Sequence, residues 1–115
     1  MTSVKLTSEE QDGIYFIVPQ GELLAGQGDA ELKAEMDRLI EEGRRKLVVD
    51  FSDVPYIDSS ILGQLVHGYS ILKKEGGALK LLNPSKRIID VLNLTRLISV
   101  FEVYEDRNQV ISSFQ

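Results

Sequence analysis

An α/β fold with a mixed β-sheet is predicted by three observations. Short apolar β-branched runs alternate along the chain with segments of helical periodicity. Two of those runs, Val4–Ser8 and Ile14–Val18, stand next to each other at the N-terminus with no helix between them. The run Leu47-Val48-Val49-Asp50-Phe51 is almost continuously apolar, the pattern of a central strand covered on both faces. The order is β-β-α-β-α-β-α-β-α. Strands separated by helices imply right-handed crossovers and mostly parallel pairing, and the initial hairpin makes the sheet mixed.

The first run alternates weakly and suits a short edge strand; Glu9–Gly13 reads as a turn. Ile14–Val18 reads as a buried strand, with Pro19 limiting further pairing. The stretch Gly21–Asp29 holds three glycines but neither a GxGxxG nor a Gly-Lys-Ser/Thr pattern, so it is a loop rather than a phosphate cradle. Asp29 is a cap for the helix that follows, whose apolar face is Leu32, Met36, Leu39 and Ile40. Gly43 stands where a left-handed C-cap residue belongs, and Arg44-Arg45-Lys46 reads as solvated charge between that helix and the central strand. Asp50 near the end of the strand has two readings, a structural one, bonding to nearby loop N–H groups, and a functional one; the structural reading is favoured. Ser52–Pro55 is a loop.

The next stretch, Val54 to Gly63, passes from strand into amphipathic helix. Asp58, Ser59 and Ser60 are strong N-cap types, and an oxygen of Asp58 or Ser59 can accept from an orphaned helix N–H. Ser60 then falls in the first turn, where the positive end of the helix dipole favours an anion. At about 100° per residue, Leu62, Leu65, Tyr69 and Leu72 share one side, with Ile61 and Val66 at its margins. Ser60, Gln64, His67 and Ile71 fall on the other side, as a solvent-facing stripe with an exposed Ile well down its length. Two readings of Asp58-Ser59-Ser60 stand side by side: a plain helix cap, or a switch at the top of a docking surface.

Lys73 and Lys74 suit the end of this helix, and Gly76 its left-handed cap. Ala78–Leu82 is a strand. Asn83-Pro84 reads as a cap followed by Pro at the first helical position, opening a short helix to Leu92 that buries Ile88, Val91 and Leu92. Leu94–Leu97 is a connector, Val100–Tyr104 a strand, and Glu105-Asp106 the start of a last helix with Val110, Ile111 and Phe114 facing inward.

Composition narrows the function. The chain has 115 residues, with 43% hydrophobic and 27% charged, an ordinary balance for one domain over 1–115. It has no Cys, which excludes disulfides and thiolate metal sites, and its single His67 cannot build a His-rich cluster. A net charge of −5 argues against nucleic-acid binding. No run reaches the length of a membrane span and no signal sequence is recognisable, so a soluble, cytoplasmic protein is expected, with no membrane insertion and no cofactor. Catalysis by Ser59 or Ser60 needs a base in reach. His67 lies about two helical turns beyond Ser60, roughly 10 Å along the axis, and although Asp58 could serve as base, nothing marks an oxyanion site. A non-enzymatic protein is expected, with His67 an ordinary surface residue or a partner contact.

The chain resembles the STAS domains of bacterial anti-sigma factor antagonists over almost its whole length. The resemblance rests on Gly21-Glu22-Leu23, Leu47–Ser52, Ile57-Asp58-Ser59-Ser60-Ile61-Leu62-Gly63, Gly76–Leu79, Asn83-Pro84, Leu94–Leu97 and Val100–Tyr104. It implies that Ser60 is phosphorylated by an anti-sigma factor that is also a serine kinase, that the unphosphorylated form binds that kinase and releases a sigma factor, and that a metal-dependent serine phosphatase reverses the modification. Asp58, Ser59, Ser60, Gln64, His67 and Ile71 are the expected partner-binding residues. The alternative is a STAS scaffold without a switch, in a regulatory assembly or as a soluble component of a lipid-transport ABC complex. Three positions depart from the family pattern. Ile61 stands where Gly is usual and is expected to narrow access to Ser60 or alter kinase choice. Arg96 stands where Gly often follows Thr. Leu24 stands where Asp is common, which bears on partner contacts.

Overall fold

The computed structural model describes residues 5–26 and 28–115. The strands are β1 (Lys5–Gln11), β2 (Ile14–Gln20), β3 (Lys46–Asp50), β4 (Ala78–Leu82) and β5 (Val103–Tyr104). The helices are α1 (Asp29–Glu41), α2 (Ser59–Lys74), α3 (Lys86–Leu94) and α4 (Arg107–Ser113), with a 3-10 turn at Leu97–Ser99. The sheet runs β1-β2-β3-β4-β5, antiparallel between β1 and β2 and parallel thereafter, the mixed sheet expected from the alternation.

The period of two decides how the layers form. Ile17, Leu47, Val49, Leu79 and Leu81 point to one face, where they pack with Leu32, Met36 and Leu39 of α1, Ile61, Leu62, Leu65 and Leu72 of α2, and Ile88 and Leu92 of α3. Ile14, Phe16, Val48 and Leu82 point to the other face, covered by Val110 and Ile111 of α4. The central strand β3 is thus buried on both sides. Lys80 also faces α4: its Nζ donates to Ser113 Oγ at 2.9 Å and to the Ser113 carbonyl at 3.2 Å, and sits 4.2 Å from the centre of the Phe114 ring.

Several boundaries differ from expectation, each for a local reason. Val4 lies outside the described residues. The expected turn over Glu9–Gly13 is strand as far as Gln11, which pairs with Ile14. The reversal takes only Asp12 and Gly13, at φ 56° and 81°, the left-handed pair of a tight hairpin. β2 continues through Pro19 to Gln20, because Pro19 stands opposite Leu6 beyond the three residues that pair with β3. Gly28, not Asp29, is the N-cap of α1. Ser85, not Asn83, caps α3, accepting from Ile88 N at 3.2 Å; Asn83 is left-handed and donates to Ser52 Oγ at 3.1 Å. Only Val103 and Tyr104 of the last expected strand pair with β4. Phe101 instead turns inward and meets the Tyr69 ring edge-on at 5.3 Å. Asp50 has its expected structural role, accepting from the backbone N–H and hydroxyl of Ser52.

Candidate functional site

Two chain segments that leave the sheet at the same end build the site. After β2 the chain runs beside the loop before α2: Gly21 N donates to the Asp53 carbonyl at 3.0 Å, and Leu23 bridges Ile57 in parallel. Leu23 and Ile57 are both fully buried, so the two segments are pinned to the core at that crossing. The turn at Ala25 is thereby brought to the start of α2, and the start of α1 follows it.

Asp58 is the N-cap of α2. Its Oδ1 accepts from Ser60 N at 3.1 Å and Ile61 N at 3.2 Å, satisfying two of the helix's orphan donors. Its Oδ2 reaches across and accepts from Ala25 N at 2.8 Å. Asp29 answers from the other side. Its Oδ1 accepts from Gly26 N and Ala30 N, both at 3.0 Å, and its Oδ2 accepts from the Ser60 hydroxyl at 3.2 Å. Each carboxylate therefore spends one oxygen on N–H groups of its own segment and the other on the opposite segment. Partial burial pushes the Asp29 carboxyl up, but the hydrogen bonds from Gly26, Ala30 and Ser60 outweigh it and hold the group below the usual aspartate range. It is an anion at neutral pH.

The six residues expected to carry function all lie on α2 or its cap. Ser59 and His67 are exposed; Asp58, Ser60, Gln64 and Ile71 are half-buried. Ile71 is thus less open than the helical angles suggest. Ser60, Gln64, His67 and Ile71 run down one side of an uninterrupted helix, away from Leu65 and Leu72 in the core. Ile61 corrects an expectation: its side chain is fully buried among the core residues, so it does not narrow the approach to Ser60. Arg96 holds the left-handed conformation, φ 63°, that glycine adopts without strain. Leu24 forms an isolated bridge with Gly28 at the site's edge.

Asp29 is the site residue that sequence reasoning did not find. It reads as a cap, and its partner Ser60 lies 31 residues away, a separation at which no local pattern speaks. Among the described residues, no group of three or more His, Cys, Asp or Glu could hold a metal ion, and no helix is long and apolar enough to cross a membrane.

Comparison with known proteins places this geometry in a family. The STAS-domain family model matches residues 5–110. The anti-sigma-B factor antagonist of Bacillus subtilis is 36% identical over 72 residues, which span 63% of this chain and 65% of that protein. A crystal structure of an anti-sigma factor antagonist homologue from Thermotoga maritima is similar with a TM-score of 0.89 at 25% identity, covering 94% of this chain and 92% of that one. The Bacillus cell fate determinant SpoIIAA in its phosphorylated form shares the fold, with a TM-score of 0.76 at 20% identity over 96% of this chain and all of that one. The chain belongs to the STAS-domain family.

Proposed function

We propose that the chain is an anti-sigma factor antagonist, binding an anti-sigma factor serine kinase when Ser60 is free and released when Ser60 is phosphorylated. The observation that carries the reading is the position of the Ser60 hydroxyl. It stands at the partly open start of α2, at the head of the stripe formed by Gln64, His67 and Ile71. The relatives named as anti-sigma factor antagonists support it as well.

In the forward step, Ser60 Oγ attacks the terminal phosphorus of a nucleoside triphosphate held by the kinase. The new bond is Oγ–P, the bond to the nucleoside diphosphate breaks, and the hydroxyl proton passes to a base of the kinase. A metal-dependent phosphatase reverses this with water, returning inorganic phosphate and the hydroxyl. The chain itself supplies the acceptor and the docking face and performs no chemistry of its own.

The modification adds about −1.5 to −2 charges and three acceptor oxygens at the contact surface. A loss of about 3 kcal/mol of binding weakens affinity more than a hundredfold. Local charge at one hydroxyl is therefore enough to separate the partners. Asp58 supplies the cap that presents Ser60, and exposed Ser59 lies at the rim of the same contact.

The test is the intact mass of the chain purified from its own host, with the modified residue mapped by fragmentation. A fraction carrying one phosphoryl group on Ser60 is expected. Its absence under every growth condition would leave the unswitched scaffold, with the Gln64, His67 and Ile71 face as its constitutive contact.

A further inference from the structure

We propose that Asp29 converts a phosphoryl group on Ser60 into displacement of the turn that precedes α1, so that the modification alters a second segment as well as the serine itself. This rests on the phosphorylation of Ser60 proposed above.

In the unmodified chain, the Ser60 hydroxyl donates its hydrogen to Asp29 Oδ2. Esterification removes that hydrogen and sets a second anion in its place, against a carboxylate that is already charged. An attractive contact becomes a repulsive one at the same position. The start of α2 offers little relief. The N–H groups of Ser60 and Ile61, the donors a phosphate would ordinarily take at a helix N-terminus, already serve Asp58 Oδ1.

The two sides of the contact resist movement unequally. On the α2 side, Ile57 and Ile61 are fully buried and flank Asp58 and Ser60. On the α1 side, Ala25, Gly26 and Ala30 are exposed, and Gly26 sits in a left-handed turn with φ 78°. The α1 side therefore yields. As Asp29 turns away from the new anion, the bonds it accepts from Gly26 N and Ala30 N are lost, and the tie from Ala25 N to Asp58 loosens with them. A partner resting across Ser60 and the start of α1 then meets a changed shape as well as an added charge.

The experiment uses the full chain with phosphoserine installed at position 60 during translation. No kinase is needed, so the result is independent of whether the native host modifies Ser60. Water–amide exchange is measured by NMR at Gly26, Ala30 and Ile61, with and without the phosphoryl group, in the natural sequence and in Asp29→Asn. That substitution keeps the size and one acceptor oxygen but removes the charge. The expected result is exchange about tenfold faster at Gly26 and Ala30 on phosphorylation of the natural sequence, the scale of losing a hydrogen bond. Ile61 should stay within about twofold, and so should all three amides in Asp29→Asn. No acceleration at Gly26 and Ala30, equal acceleration in Asp29→Asn, or acceleration at Ile61 as large as at Gly26 would each overturn the proposal.

Discussion

Gly77 lies against the backbone carbonyl of Arg45 so closely that a Cβ there would come nearer to that oxygen than real Cβ atoms do. The carbonyl is not free to move, because it accepts from Ala78 N at 2.9 Å where β3 and β4 begin their ladder. Gly68 presents the opposite case. A Cβ there would meet Met36 Sδ at 3.1 Å, on a flexible thioether side chain.

Gly77→Ala is therefore expected to cost about 2–3 kcal/mol, as an overpacked site with backbone on the receiving side. Gly68→Ala gains about 1 kcal/mol of helix propensity and loses a comparable amount in moving Met36, leaving a net change below about 1 kcal/mol. Urea unfolding of the two variants checks the contrast. Equal losses would mean that Met36 is as rigid as the strand backbone.

Asp58→Ala removes a helix cap and the tie to Ala25 together. A loss of about 2 kcal/mol is expected, the upper end for a cap, because a second hydrogen bond disappears with it. Asp58→Asn keeps one oxygen acceptor and should lose about half as much. The midpoint of urea unfolding should fall in both variants, with the slope unchanged.

Arg96 adopts a left-handed backbone that costs a non-glycine residue about 1–2 kcal/mol. Arg96→Gly relieves this but makes the unfolded chain more flexible, by about 0.4–1 kcal/mol. A net gain of up to about 1 kcal/mol is expected, read as a rise in melting temperature of several degrees. A fall would show that the Arg96 side chain contributes more than its backbone costs.

Acid should destabilise the fold through Glu35 and Glu102. The Arg38 guanidinium, aided by the Ser8 hydroxyl, outweighs burial and holds Glu35 below the usual glutamate range. The Tyr104 hydroxyl, with Lys80, does the same for Glu102. Both carboxylates bind protons less readily folded than unfolded. The stability they contribute is complete above the ordinary glutamate value of about 4.3, and it is lost as pH falls through their lowered folded values. Melting temperatures measured from roughly pH 6 to pH 3 should fall over that window, and Glu35→Gln should flatten the fall. Glu35 is partly buried and Glu102 largely exposed, so the larger share belongs to Glu35.

The parts of the fold that the sequence made legible are those set by local repetition. The 3.6-residue period of Leu62, Leu65 and Leu72 gave α2 its buried face, and the unbroken run of Leu47 to Val49 gave the central strand. Asp58 was legible as a cap because the capping group and its N–H partners lie within three residues. The hairpin turn is narrower than the polar stretch around it: Asp12-Gly13 is a strong turn signal, but the polar residues Glu9 to Gln11 conceal an exposed edge strand that has no apolar face to show. The last strand is shorter than its sequence pattern because apolar alternation over Val100 to Tyr104 reports burial, not pairing. Phe101 is buried by Tyr69 rather than by a neighbouring strand. Asp29 escaped because its significance depends on where two loops cross.

A strand apolar on both faces carries no instruction about which face is which. The centre of β3, Leu47, Val48 and Val49, could shift by one residue and still present a greasy surface to each layer. Its neighbour β4 cannot. A one-residue slip would swing Lys80 from its perch on the Ser113 carbonyl into the layer of Ile17, Val49 and Leu65, stranding an ammonium ion in oil. One lysine thus acts as an orientation mark for the whole parallel half of the sheet. Because β3 is bonded to β4 along five successive residue pairs, its apolar centre inherits an alignment that those three residues do not themselves encode.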